Sequence, residues 1–299
     1  MTSDAAIAAS ADLRDAYRAV WRLILAEQQR ILSDPRRQAR RDRLTLFRRI
    51  VEAELRDLDD LTARWVKEVM PGIYELGAGA AALDVGVDFG WTTYHREAFA
   101  KHAGDVYDDL LRATRYVRRD VKAFIRKAAR LRALRATLDD TAARQAAALA
   151  KDLERNGIAA ITYRNGARHG LEEYAEAVLR TKTAVAYNDG TLNFAGEFGV
   201  KYFEVFDGPD CGWRFHYDGE TALGKIVTID DARGNPIAHP NCRRAFGARP
   251  DLLTPADALA ARGGQVTTSQ TRAQRAADAA RREALARRRA RRRRVSAGR

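Results

Sequence analysis

A chain of 299 residues is long enough for two hydrophobic cores, and 46% hydrophobic with 31% charged residues excludes global disorder. The formal charge of +13 is concentrated, because Arg281 to Arg299 holds ten arginines and one glutamate and leaves +4 for the other 280 residues. The N-terminus has no basic start followed by an apolar segment, and no run of about 18 apolar residues occurs, so neither export nor a membrane span is expected, and Cys211 and Cys242 read as thiols or metal ligands rather than a disulfide.

Leu13, Tyr17, Val20, Trp21, Ile24 and Leu25 recur at three- and four-residue steps, which predicts a helix with one buried face. Ser33-Asp34-Pro35 supplies a stop and a new start, with Ser or Asp as the cap and Pro35 in the first turn. From Leu44 the series Phe47, Val51, Leu55, Leu58, Leu61 and Trp65 predicts a long helix that ends at Pro71-Gly72. It reads as a bundle helix, with a dimeric coiled coil as the alternative. Gly77 to Leu83 reads as a short, closely packed Ala-rich helix; Gly77-x-Gly79 is no nucleotide loop, since no strand precedes it and no Gly-Lys-Ser/Thr follows.

Thr92 to Leu138 predicts a further long helix around Phe99, Val106, Leu110, Val117, Val121 and Phe124. Its second half carries Arg115, Arg118, Arg119, Lys122, Arg126, Lys127, Arg130, Arg132 and Arg135, which read as a solvated face more readily than as a phosphate site. Asp139 or Asp140 caps the next helix. At Gly157 the texture changes: Ile158 to Tyr163 is β-rich, Asn165-Gly166 is a turn, and a helix follows from about His169 to Tyr187. Val200 to Phe206 and Lys225 to Ile229 read as strands. The expected architecture is α+β: an all-helical N-terminal half with long helices (1–156), a small mixed α/β domain (157–255) and an Arg-rich tail (256–299) that cannot bury a core alone.

Two thiols and two imidazoles lie in Asp207-Gly-Pro-Asp-Cys211-Gly-Trp-Arg-Phe-His216 and Ala238-His239-Pro-Asn-Cys242-Arg-Arg244. The arrangement Cys-x4-His, 22 residues, His-x2-Cys suits one tetrahedral zinc held by Cys211, His216, His239 and Cys242. A closed four-ligand site of this kind is structural and leaves no position for a substrate. The alternative is a small buried thiol with hydrogen-bonded turn histidines. Asp207, Asp210, Asp218, Glu220, Asp230 and Asp231 raise a metal-dependent nuclease as a second reading, weakened because a loop of this composition needs its acids for turns.

This region resembles the C-terminal domain of tailed-phage minor head proteins, the phage minor capsid or Mu-F-like family. Tyr163-Arg-Asn-Gly166, Leu171-Glu-Glu-Tyr174 through Leu179-Arg180-Thr181, Gly199-Val200, Asp210-Cys211, Gly224-Lys225 and His239-Pro240-Asn241-Cys242-Arg243 fall in the family's order, over roughly Gly157 to Asp251. The helical N-terminal half is similar to the family in character only. The commoner family pattern has four cysteines; here Arg214 and Arg244 stand at the other two positions, so His216 and His239 would have to substitute.

The resemblance implies a non-enzymatic minor capsid protein of head morphogenesis, at the portal vertex inside the virion, with portal, scaffold or major capsid protein as partners and the host cytoplasm as the place of assembly. No membrane is implied. Arg281, Arg282, Arg287, Arg288, Arg289, Arg291, Arg292, Arg293 and Arg294 are the candidate contacts to packaged DNA, because arginine neutralises phosphate without needing any sequence. A free nucleic-acid-binding protein is the remaining alternative.

Overall fold

The computed structural model describes residues 8–33, 37–137, 140–162, 166–240 and 242–261. The stop expected at Asp34-Pro35, the cap at Asp139, the turn residue Asn165 and the whole arginine stretch from Arg281 lie outside the described residues. The element order is α1 (Ala11–Ser33), α2 (Arg37–Glu68), α3 (Met70–Val85), α4 (Thr93–Ala136), α5 (Asp140–Arg155), β1 (Ile161–Thr162), β2 (Arg168–His169), α6 (Leu171–Glu197), β3 (Tyr202–Phe206), β4 (Ile226–Thr228), α7 (Ile229–Gly234), β5 (Ala245–Ala248) and α8 (Pro255–Ala261). Long helices followed by short antiparallel strands give the α+β class expected from the sequence. Among the described residues no helix is long and apolar enough to cross a membrane.

The chain forms two compact units, Ala9–Met70 with Ala100–Lys182, and Pro71–Phe99 with Thr183 onward. Membership therefore interleaves along the sequence, whereas the change of texture at Gly157 suggests a single boundary between 156 and 157. Local texture registers strand-like composition; it is blind to helices such as α4 and α6, each of which contributes residues to both units.

In the unit built on α1 and α2, Tyr17, Ile24, Phe47, Leu55, Leu110 and Val117 are fully buried, as the three- and four-residue spacing requires. Among its buried polar groups, the Tyr17 and Thr62 hydroxyls lie 2.9 Å apart, and Trp65 Nε1 donates to the Ala9 carbonyl at 3.0 Å. Burial drives the Tyr17 phenol well above its ordinary pKa. Leu25, expected on the buried face, is 38% exposed, and Gln28 is buried in addition to Ile24 because its Oε1 accepts the Ile158 N–H at 2.9 Å. α2 and α4 meet through an edge-to-face Phe47–Phe124 pair with centroids 6.0 Å apart and through Asp59, which accepts from Thr114 and Arg118 at 2.7 Å each.

The other unit is centred on α3 and the later part of α6. Pro71 does not end the preceding helix. That helix closes at Glu68, and Pro71 sits in the first turn of α3, where its missing N–H is not needed. α3 has little contrast between its faces because apolar residues lie on both the covered and the open side: Tyr74, Ala78 and Ala81 are 0% exposed, whereas Leu83 is 76% exposed. Its small residues allow α6 to come close. A Cβ on Gly77 would lie 1.9 Å from the Tyr187 carbonyl oxygen, and one on Gly190 would lie 2.2 Å from that of Tyr74. α6 runs on past Tyr187 to Glu197, and a three-stranded antiparallel sheet of order β4-β3-β5 follows, with Phe203 level with Val227 and Ala248. Phe203, Val205, Phe246, Leu192, Phe194 and Trp213 share one core with α3. The strand Ala245–Ala248 is not legible in the sequence, since Ala-Phe-Gly-Ala carries neither alternation nor β-branched residues.

Candidate metal centre

The loop from Asp207 to Gly224 leaves β3 and returns to β4, and its own backbone bonds set its shape. Trp213 N–H donates to the Glu220 carbonyl at 2.9 Å, Ala222 N–H to the Cys211 carbonyl at 2.9 Å, and Gly212 N–H to the His216 carbonyl at 3.1 Å. Asp218 closes the tip by accepting the Arg214 and Glu220 N–H groups at 2.5 and 2.9 Å, which holds its carboxyl below the usual range. Asp231 and Thr228 cap α7. These two acids serve turns and caps, a use that argues against a carboxylate catalytic centre.

Against this loop lies the segment before β5, which carries His239 and Cys242. Cys211 and Cys242 are buried, free thiols with Sγ atoms 3.7 Å apart, and His239 Nε2 lies 3.5 Å from Cys211 Sγ. The His216 and His239 rings stand edge to face with centroids 4.4 Å apart. Of the four residues expected from the sequence, Cys211 lies near each of the other three, whereas Cys242 joins no triad with either histidine. Their ligand atoms form two overlapping triads that share Cys211: Cys211 with His216 and His239, and Cys211 with Cys242 and Asp207. In the sequence Asp207 counts only among the loop acids; its proximity to both thiols is a tertiary fact.

Two separations match tetrahedral edges, the 3.7 Å between Cys211 and Cys242 and the 3.5 Å between Cys211 and His239, whereas Cys242 shares no close group with either histidine. With Zn–S about 2.3 Å and Zn–N about 2.0–2.1 Å, tetrahedral edges are about 3.8 Å for S···S and about 3.5 Å for S···N. Nδ1 of His216 is buried and has no hydrogen-bond partner among the described residues, so the ring offers an unsatisfied ligand atom. Burial, then the neighbouring Cys242 and Asp207, push the Cys211 thiol up to about 12, and burial followed by His216 lowers the His239 imidazole. Without a cation the thiol stays protonated and the imidazole neutral; a divalent cation would draw the proton from the sulfur. A cleft of about 610 Å³ opens beside the centre, lined by Pro209, Asp210, His216, Tyr217 and Glu220.

Arg244, which stands where the commoner family pattern has a cysteine, organises this region. Its side chain is 0% exposed; Nε donates to Asp207 at 2.9 Å, Nη1 to the Trp213 and Asn235 carbonyls at 2.9 and 2.8 Å, and Nη2 to the Gly212 carbonyl at 2.7 Å. The guanidinium also stacks 4.6 Å from the Trp213 ring centroid. From α6, Asn188 Nδ2 donates to the Arg244 and Pro236 carbonyls at 2.9 and 3.0 Å, so the helix is tied to the same segment.

Residues 76–207 match the family model of phage minor capsid protein 2. That match supports a phage minor capsid family and, with it, a capsid-related structural role. It runs from α3 through β3 and so takes in helices that lie before Gly157, where the motif resemblance begins; it ends at Asp207, before Cys211, His216, His239 and Cys242. No curated protein and no solved structure matches the chain. The expected DNA contacts Arg281, Arg282, Arg287, Arg288, Arg289, Arg291, Arg292, Arg293 and Arg294 lie outside the described residues.

Proposed function

We propose that this is a non-catalytic minor capsid protein of a phage head, positioned at the portal vertex inside the shell, with portal, scaffold or major capsid protein as its partners and packaged DNA against its arginine tail. The observation that carries the reading is the minor capsid match over residues 76–207. The tail supports the inward-facing position, because a block of nine net positive charges next to concentrated polyanion is electrostatically favourable whatever the base sequence. Quantitative mass spectrometry of purified heads and virions, with cross-linking, is the test. Few copies per particle with cross-links to the portal ring are expected; absence from both particles removes the proposal, and metal-dependent cleavage of DNA by the purified protein would replace it with the nuclease reading.

Under the same reading the Cys/His centre is structural, with one zinc ion held by Cys211, His216, His239 and Cys242 and stapling the 207–224 loop to the segment before β5. Elemental analysis of protein purified without chelator should find about one zinc per chain. Cys242→Ser should lower that content at least tenfold and destabilise the loop-bearing unit by about 2 kcal/mol or more, since metal binding is folding free energy. Metal-free protein whose unfolding midpoint does not move on adding zinc would leave the centre as a thiol and imidazole cluster.

A further inference from the structure

The charge of the chain outside the tail is small in sum but unevenly spread. Between Thr114 and Thr137 there are nine basic residues and one acid, Asp120. In α4 the exposed residues Arg115, Arg119, Lys122, Arg126 and Arg130 follow steps of four, three, four and four, and so fall on one stripe, opposite the buried Val117, Val121, Phe124 and Ala128. The stripe is about 22 Å long at about 1.5 Å per residue.

A second helix widens it. The Phe47–Phe124 contact and the Asp59 bonds to Thr114 and Arg118 fix α2 and α4 antiparallel, which puts Arg49 level with Lys122 and Arg56 level with Arg115. Arg48 and Arg49 line a cleft of about 350 Å³ with Leu44, Thr45 and, from α4, Ile125, which precedes Arg126 and follows Lys122 by three residues in the chain. The carboxylates nearby are held by particular partners: Asp59 and Glu52 by Arg118, Asp152 by Lys127, and Asp120 by Arg168, the Ala159 N–H and Arg119 of the stripe. Among the described residues, Arg48, Arg49, Arg115, Lys122, Arg126 and Arg130 have no carboxylate within ion-pair distance.

We infer that this two-helix basic face is a second nucleic-acid site, independent of the tail, which holds the phosphodiester backbone of duplex DNA through Arg48, Arg49, Lys122 and Arg126. An extended line of cations suits a line of phosphates, about one per 1.7 Å of duplex axis, better than it suits a localised acidic patch on a protein. Arginine predominates, and each guanidinium can take two oxygens of one phosphate. Tyr116 is already stacked under Arg119, with the guanidinium 4.5 Å from the ring centroid, so backbone contact without base readout is the expected mode. The sequence alone favours a merely solvated face; what changes the balance is the alignment of α2 with α4 and the absence of any carboxylate within ion-pair distance of Arg48, Arg49, Lys122 and Arg126 among the described residues.

The inference extends the DNA-facing part of the proposed function, and full-length variants separate the two. In a tail variant, Arg281, Arg282, Arg287, Arg288, Arg289, Arg291, Arg292, Arg293 and Arg294 are all replaced by Gln; in a combined variant, R48Q, R49Q, K122Q and R126Q are added. The probe is a 30-base-pair duplex titrated at several salt concentrations, on two unrelated sequences, with thermal unfolding as the control for folding. The tail variant should still bind, with log K falling against log salt at a slope of roughly −3 to −4, as four phosphate contacts require. The combined variant should bind at least tenfold more weakly with a slope near zero. A tail variant that binds no duplex overturns the inference, and so does a combined variant that binds like the tail variant. If duplex affinity is equal in those two but binding to polyglutamate is lost, the face is a protein-docking surface. Equal binding by wild type and tail variant would instead sink the DNA role of the tail and leave the face standing.

Discussion

Gly77→Ala and Gly190→Ala are each expected to destabilise the unit that contains α3 and the end of α6 by about 3 kcal/mol, the upper part of the range for overpacking. Two effects oppose each other at these positions. Replacing a helical glycine by alanine gains about 1 kcal/mol of helix propensity. The new methyl, however, would stand 1.9 Å from the Tyr187 carbonyl oxygen in one case and 2.2 Å from the Tyr74 carbonyl oxygen in the other, and both obstacles are backbone rather than the end of a flexible side chain. Relief requires the helices to separate, which strips contact from Tyr74, Ala78 and Tyr187 and lengthens the 3.0 Å bond from Thr191 Oγ1 to the Gly77 carbonyl. Gly79→Ala is the control: nothing lies within 4 Å of its Cβ, so propensity alone acts and stability should rise by up to about 1 kcal/mol. Chemical denaturation of the three variants checks the signs. Gly77→Ala or Gly190→Ala at or above wild-type stability would mean that the close helix crossing is not as described.

The same glycines illustrate how much the sequence discloses. Helical periodicity locates α1, α2 and α4, since an amphipathic face is a local property of spacing. Gly77 to Leu83 reads as closely packed, but what it packs against lies more than a hundred residues away, at Tyr187 to Thr191, and no spacing rule names that partner. The continuation of α6 to Glu197 escapes sequence reasoning for a related reason: Tyr187-Asn-Asp-Gly190 has the composition of a turn, and only burial of Asn188 and Thr191 keeps it helical. Cys211, His216, His239 and Cys242 are legible because few side chains have that chemistry. Asp207 and Arg244 do not stand out as partners, because an aspartate before Gly-Pro reads as a turn residue and an arginine beside another arginine reads as surface.

Arg244→Met should cost about 3–5 kcal/mol, the range for removing one partner of a buried ion pair. Both side chains of the pair are almost wholly dehydrated, at 0% exposure for Arg244 and 1% for Asp207. Methionine has similar length and no donor. Among the described residues it would leave the Asp207 carboxylate with the Gly208 N–H at 2.8 Å, the Cys242 thiol at 3.4 Å and the neighbouring Cys211 thiol, and would strand the Gly212, Trp213 and Asn235 carbonyls that the guanidinium now satisfies. Arg244→Lys separates charge from geometry. An ammonium keeps the attraction to Asp207, but it cannot present a planar fork to carbonyls on two separate segments, nor stack flat on Trp213, so a loss of about 2 kcal/mol is expected. The paired change Asp207→Asn with Arg244→Met removes both charges and should recover part of the single-variant loss, since the largest penalty is the lone buried carboxylate. Urea denaturation followed by tryptophan fluorescence measures all three variants. If Arg244→Met unfolds within about 1 kcal/mol of the wild type, a difference well below that range, the arginine does not hold the loop, and the position of Cys211 beside Cys242 must be maintained by the backbone bonds of the 207–224 loop alone.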